Sequence, residues 1–415
     1  MIKVPTSKPS EIDNFRISVT EAEQFIAKHL PAAPAVTVSL AEANQHILRE
    51  AVYAERDQPP FHRATMDGIA IAASEAQADE ATRFSIAGIQ AAGQAAVNLP
   101  PDRCIEVMTG AVVPSGANTV IPVERITVAN GIAEIEPGYA FKPGQFVHLR
   151  GSDHHQGDPL LPAGIRIGPP EMAVLAAAGK ASVRVSATPK VAVISTGDEL
   201  VDVGLPISDS QIRSSNDRAI AAALQQAGAS NVSRHSYKDD PEQLRNGIRQ
   251  LLANNDMLVL SGGVSMGKYD YLPQVLAELG IRVIFHKITQ RPGLPMWFGM
   301  SADNKPVFAL PGNPVSALVC LTRYVLPAIQ QSLKANSNSN HEQVALAQPL
   351  SFDAELSWFV PVTLEYAADG RALATPRLTN TSGDFCALSG TAGFIELPCE
   401  ANDFPAGYVA RLFRW

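Results

Sequence analysis

The sequence predicts a multidomain protein, α/β at its centre with β domains on either side. Three observations carry that prediction. Between residues 187 and 332, short apolar runs alternate with helix-like segments, the pattern of a parallel-rich sheet covered by helices on both faces, a three-layer domain. From 61 to 148, and again from 340 to 415, short β-like runs are separated by Gly, Pro and Asn turns. The length of 415 residues suits roughly two to four domains.

The elements follow in order. Residues 1 to 10 read as a loose tail. A helix is expected from Thr20, because Thr20 and Glu23 have capping-box spacing and Ala22, Phe25, Ile26 and Leu30 share a face. Ser39 and Glu42 repeat the signature before a second short helix. FSIAGI, CIEVMTG, TVIPVERITV and IAEIEP then read as strands, with Asn130-Gly131 making a two-residue hairpin. This small β domain is inserted between flanking pieces. Pro169 and Pro170 open a helix in the segment 168 to 182. In the central domain VAVIS, MLVL, IRVIFHKI and PVFAL are strands, and 217–228, 241–255, YLPQVLAELG and 314–329 are helices. The polar run 332–343 reads as a linker. No internal repeat is visible.

Bulk properties exclude several classes. Hydrophobic residues make up 46% and charged residues 18%, so a packed core is expected rather than disorder. The net charge of −8 argues against a general nucleic-acid binder. Cys104, Cys320, Cys386 and Cys399 show neither CxxC nor zinc spacing and suit free thiols. No apolar run approaches a membrane span, and the start lacks a secretory pattern, so a cytoplasmic protein is expected.

The chemistry concentrates in three loops expected at one edge of the central sheet: STGDEL (195–200), SGGVSMGKYD (261–270) and PGNPVSA (311–317). Ligands of open parallel sheets bind beyond the carboxyl ends of strands. Glycine lets the backbone approach a ligand, and successive N–H groups can cradle an anion. One such loop is as readily a tight turn; three at one edge point to phosphate. The candidate ligand-binding residues are Ser195, Thr196, Gly197, Ser261, Gly262, Gly263, Ser265, Gly267, Pro311, Gly312, Asn313 and Pro314. Asp198, Glu199 and Asp270 add carboxylates, the donors that Mg²⁺ prefers beside phosphate. Asp198 could also cap the following turn, and Asp239 and Asp240, just before Pro241, could start a helix. Lys268, Lys287, Arg291 and Arg213 could supply a basic patch, although a lone Lys is more often a solvated surface charge. Elsewhere Asp67, Thr109 and Asp153 stand in Gly-containing stretches, and the adjacent His154 and His155 point apart, a poor joint ligand pair.

Read in order, MDG, MTGAVVP, RGSD with GDPLLPAG, STGDEL, SGGVSMGKYDY, RPG, LPGNPVSA and SGDF resemble the motifs of the molybdopterin molybdotransferases, the MoeA proteins and the E domain of gephyrin. The resemblance spans nearly the whole chain. It implies an elongated homodimer of four subdomains: a discontinuous N-terminal domain (1–60 plus 149–186), the inserted β domain, the α/β molybdopterin-binding domain and a barrel-like C-terminal domain. The α/β domain of one subunit would face the N-terminal region of the other. The implied activity inserts molybdate into adenylylated molybdopterin, with Mg²⁺, releasing AMP. By resemblance Asp67, Thr109, Asp153, Glu199, Asp270 and Lys287 match functional positions, Arg291 stands where lysine is usual, and Ser382 joins the cofactor site; the expected catalytic residues are Asp67, Thr109, Glu199, Lys287 and Arg291, and the expected metal ligands Asp153, Asp198, Glu199, Asp240 and Asp270. Molybdopterin adenylyltransferase and molybdoenzyme maturation proteins are the implied partners. The chain departs from the family pattern at Ile69 (usually Tyr), Glu106 (usually basic), Leu294 (usually Lys) and Pro361 (commonly Arg). Two other classes stay open on sequence alone: a divergent paralogue that binds molybdopterin or the finished cofactor with little turnover, and a scaffold.

Overall fold

The computed structural model describes residues 16–74, 83–264, 271–336, 341–352 and 355–415. At its centre is a six-stranded sheet in the order Asn231–Tyr237, Lys190–Thr196, Met257–Ser261, Pro306–Leu310, Trp297–Met300, Arg282–His286. The first four strands are parallel; Trp297–Met300 runs antiparallel to both its neighbours, so Arg282–His286 points the same way as the first four. The sheet is therefore mixed at one side and parallel over the rest, the parallel-rich sheet that the sequence pattern predicts. Its middle strands are buried on both faces, which is why they read as unbroken apolar runs. One face packs under the helices Pro241–Asn254 and Leu272–Glu278, through Leu244, Ile248, Val275 and Leu276. The other packs under Asn216–Gln226 and the closing helix, through Ile220, Leu224, Val319 and Ile329.

The first helix spans Val19–His29 and is capped by Ser18, whose hydroxyl accepts from the Glu21 N–H while the Glu21 carboxylate accepts from the Ser18 N–H. The pair Thr20/Glu23 has the same spacing but loses. Capping from Ser18 leaves Val19, Ala22 and Ile26 on the face that enters the α/β core. This helix therefore packs with the central domain. The next piece pairs Ala35–Ser39 with Ser182–Ser186 and Val52–Tyr53 with Pro159–Leu161, around Leu48, Ile167 and Leu175. Between them lies the inserted six-stranded β sheet, in which Ile126–Ala129 and Ile132–Ile135 form the hairpin expected at Asn130-Gly131.

The closing helix differs from the expected single run. It is α-helical over Pro314–Cys320, π-helical over Leu321–Val325 and α-helical again over Leu326–Ser332. After it comes a closed barrel of five strands: Ser357–Tyr366, Ala372–Pro376, Gln343–Leu346, Val409–Arg414 and Gly393–Leu397, the last pairing back to the first. Closure removes exposed strand edges. The long strand Ser357–Tyr366 also pairs with Gln290–Arg291 of the central domain, and Phe359 and Phe394 continue the central core into the barrel. No helix among the described residues is long and apolar enough to cross a membrane.

Candidate active site

A cavity of about 1100 Å³ opens where the parallel strands end and the barrel begins. Its floor is the three loops after Lys190–Thr196, Met257–Ser261 and Pro306–Leu310, so these strand ends converge as the topology requires. Leu356, Trp358, Val360, Pro361 and the segment 378–383 of the C-terminal domain form the opposite wall.

The floor holds two hydroxyls in an unusual state. Ser195 and Thr196 are 2% and 5% exposed, line the cavity, and have no hydrogen-bond partner for either hydroxyl. A buried polar group left unpaired costs roughly 1–3 kcal/mol, so two in one cavity mark the place where a ligand's acceptors belong. Around them the backbone comes close. Gly262 has φ +101° and a Cβ there would lie 2.7 Å from the Thr196 carbonyl oxygen; Gly263 has φ +68° and its Cβ would lie 3.1 Å from Thr196 Oγ1. No other residue fits either position without displacing Thr196. Asn216 ties the floor together, donating from Nδ2 to Ser261 Oγ at 2.9 Å and to the Gly312 carbonyl at 2.8 Å. Asn313 Nδ2 donates to Ser382 Oγ at 2.7 Å and the Val315 N–H to the Ser382 carbonyl at 3.0 Å, which joins the C-terminal domain to the same loops. The start of helix Asn216–Gln226 also faces the cavity, with its N–H groups suited to an anion.

Among the expected cradle residues, Ser195, Thr196, Gly197, Ser261, Gly262, Gly263, Pro311, Gly312, Asn313, Pro314 and Ser382 all line this cavity, with Glu199 and Arg291. Ser265, Gly267 and the proposed metal ligand Asp270 lie outside the described residues. Glu199 folds its carboxylate over Gly197, where a Cβ would meet Oε1 at 2.7 Å. Of the aspartates before the helix at Pro241, it is Asp239 that lines the cavity. Asp240, expected as a metal ligand, does not line the cavity and caps that helix by accepting from the Gln243 N–H at 2.7 Å. Asp198 is exposed and does not line the cavity. Arg213 and Arg291 supply positive charge, Arg291 stacking over the Phe352 ring at 5.6 Å. Phe352 in turn stacks on Trp358 at 4.5 Å.

The remaining expected residues lie elsewhere in the chain. Asp67 is exposed at the start of a strand of the inserted sheet, and its Oδ1 accepts from the Thr109 N–H at 2.6 Å and hydroxyl at 2.8 Å. The Thr109 N–H first, then the hydroxyl, holds the Asp67 carboxyl below its ordinary value. Asp153 accepts from His148 Nε2 at 2.9 Å, while Arg63 sits 3.0 Å from His148 Nδ1. Arginine can only donate, so Nδ1 is the acceptor and Nε2 carries the proton. Lys287 stands at φ +75° just after Arg282–His286, its backbone N–H bonded to the Met296 carbonyl at 2.9 Å, and does not line the cavity.

The four departures from the family pattern separate into two places. Ile69 is fully buried in the inserted domain beside Ile71, Cys104 and Ile121, and it pairs across the strands with Glu106. Leu294 and Pro361 line the cavity. Sequence reading missed Asn216, Gln290 and Trp358 as cavity residues. Asn216 follows Arg213-Ser214-Ser215, a polar run after a short strand, and that was the available signal.

Comparison with known proteins adds the family. Residues 17–179 match the MoeA N-terminal region (domains I and II), and residues 192–331 match the probable molybdopterin binding domain. The chain is 35% identical over 401 residues to the molybdopterin molybdenumtransferase of Synechocystis sp., covering 96% of this chain and 100% of that one. It is 30% identical over 398 residues to the molybdopterin molybdenumtransferase of Staphylococcus aureus, covering 95% and 94%. The solved structure of the molybdopterin biosynthesis MoeA protein from Pyrococcus horikoshii superposes with a TM-score of 0.79 at 30% identity, over 96% of this chain and 99% of that one. With the converging loops, the mixed sheet and the closed barrel on the same chain, these likenesses place it in the molybdopterin molybdenumtransferase (MoeA) family, transferases of molybdenum cofactor biosynthesis.

Proposed function

We propose that this chain joins molybdate to molybdopterin presented in its adenylylated form, with cleavage of the pyrophosphate link and release of AMP. The observation that carries this reading is the pair of unpartnered buried hydroxyls, Ser195 and Thr196, at the floor of the cavity. They and the N–H groups around Gly262 and Gly263 hold phosphate oxygens. Arg213 and Arg291 balance its charge, and the wall at Trp358 and Leu294 shields the link from bulk water.

Mg²⁺ fits the donor set. Among the described residues no group of three or more His, Cys, Asp or Glu converges, and Glu199 and Asp239 both line the cavity. One or two carboxylates completed by phosphate oxygens and water is the usual Mg²⁺ arrangement. Glu199 and Asp239 would hold the ion, and it would neutralise charge on the departing phosphate.

Asp67 and Thr109 belong to the same reaction through a second subunit. Both are exposed and neither lines this cavity, so a homodimer is the arrangement that brings them to it. Mixing Asp67→Asn with Glu199→Gln tests this: random pairing of two inactive chains should restore about a quarter of wild-type turnover if sites are shared across the dimer. No recovery, with mixed dimers demonstrated, would remove Asp67 from the partner's site. The primary test is single turnover with adenylylated molybdopterin, Mg²⁺ and molybdate, following AMP and active cofactor together. Binding with neither product would overturn the transferase reading for this chain and leave a cofactor-binding protein.

A further inference from the structure

The loop that carries Arg291 is held from behind by a small buried polar network. Gln290 is fully buried. Its Oε1 accepts from the Tyr324 hydroxyl, and its Nε2 donates to the Pro292 carbonyl at 3.0 Å and lies 3.5 Å from Cys320 Sγ. Every polar atom of the Gln290 side chain is thus used, and two of its contacts reach residues on the closing helix. Gly293, at φ +98°, has no room for a side chain: a Cβ would lie 2.5 Å from Cys320 Sγ and 2.6 Å from Gln290 Nε2. The loop therefore rests directly on this network. Arg291, one residue on, faces the cavity and pairs in register with Trp358 of the barrel.

Tyr324 emerges from the π-helical turn Leu321–Val325. Successive residues on a helix point about 100° apart, which is how the neighbours Arg323 and Tyr324 reach different targets. Arg323, 3% exposed, bonds Glu23 of the first helix at 3.1 Å and Glu396 of the barrel at 3.2 Å. Tyr324, 2% exposed, turns to Gln290. Burial pushes the Tyr324 phenol well above its ordinary value, so it remains a donor throughout the working pH range.

We propose that Tyr324, acting through Gln290, is a positioning residue: it fixes the Gln290–Leu294 loop and so sets where the Arg291 guanidinium stands in the cavity. The importance of that placement for turnover rests on the function proposed above; the anchoring of the loop does not.

Two readouts keep these apart. The first is hydrogen exchange of the peptide covering 288–296 in Tyr324→Phe, which keeps the ring and removes only the hydroxyl. Exchange there should quicken about tenfold while the barrel strands stay protected. Gln290→Met, of similar volume, should do the same. Unchanged exchange in both variants overturns the proposal. The second is a double-mutant cycle on AMP release. Tyr324→Phe should lower kcat about tenfold with KM within about twofold, and should add nothing further to Arg291→Ala. An additive loss would mean that Tyr324 acts through general stability, overturning the proposal. If Arg291→Ala leaves turnover untouched while exchange still quickens, the anchoring stands and the part given to Arg291 in the reaction falls.

Discussion

The cavity floor and the Asp67 site are opposites in how they treat hydrogen bonds. At the floor, Ser195 and Thr196 are buried donors without acceptors. In the inserted sheet, Asp67 is an exposed acceptor already served by two donors from Thr109. The first site is incomplete until something anionic enters. The second is complete in the free chain, its charge fixed and its carboxylate aimed before any substrate arrives. On the function proposed above, the floor binds the ligand and Asp67 is a preset charge delivered to it.

The strongest way to break this contrast is Asp67→Asn. It should leave ligand binding at the floor intact and lower AMP release about 100-fold or more, measured in single turnover. Equal loss of binding and turnover would mean that Asp67 also binds. Next in size is Gly262→Ala. A Cβ at that positive φ, 2.7 Å from the Thr196 carbonyl, should destabilise the chain by about 1–3 kcal/mol in urea titration and displace the cradle. A silent Gly262→Ala would show that the loop has freedom the close approach denies it.

Thr196→Val separates binding from stability. Removing an unpartnered hydroxyl should leave the free protein as stable or about 1 kcal/mol more so, yet weaken ligand binding about tenfold by calorimetry. Losing stability and affinity together would mean the hydroxyl has a partner in the free chain. Leu294→Lys restores a cation to the cavity wall and should tighten binding of inorganic molybdate or phosphate only about threefold, an effect that disappears at high salt. The smallest expected effect is in pH. Asp67 is held below its ordinary value, so its contribution to stability is full above the unfolded pKa near 4 and is lost only as pH falls through the lower folded value. Thr109→Val should move the Asp67 NMR titration midpoint up toward that of a free aspartate. An unmoved midpoint would deny the Thr109 hydroxyl its part and leave the shift to the backbone N–H.

Much of this was legible in the chain. The three Gly-rich loops declared themselves because each follows a doubly buried strand, where apolar runs are hard to mistake. The strand Asn231–Tyr237 did not, because it lies at the sheet edge and carries polar residues. Trp297–Met300 was too short to separate from its loop. Asp240 shows the limit of a motif. Expected as a metal ligand and also, one residue before Pro241, as the start of a helix, it forms the cap, with Oδ1 accepting from the Gln243 N–H. Asp239 beside it turns to the cavity. The Thr109–Asp67 bond joins residues 42 apart and had no local signal. The π turn likewise has none, since its apolar spacing is that of a helix.

The wall between Leu356 and Phe385 belongs to a stretch made after the floor at Ser195 to Gly263. On the ribosome, the floor is finished while its roof is still unsynthesised. A ligand that entered then would meet an open shelf washed by water, without the Ser382 contact or the strand pairing at Arg291 and Trp358. Closing the barrel is therefore also a matter of timing. Until translation has passed the last strand the floor stands without its wall, and a chain interrupted earlier would meet any ligand with the floor alone.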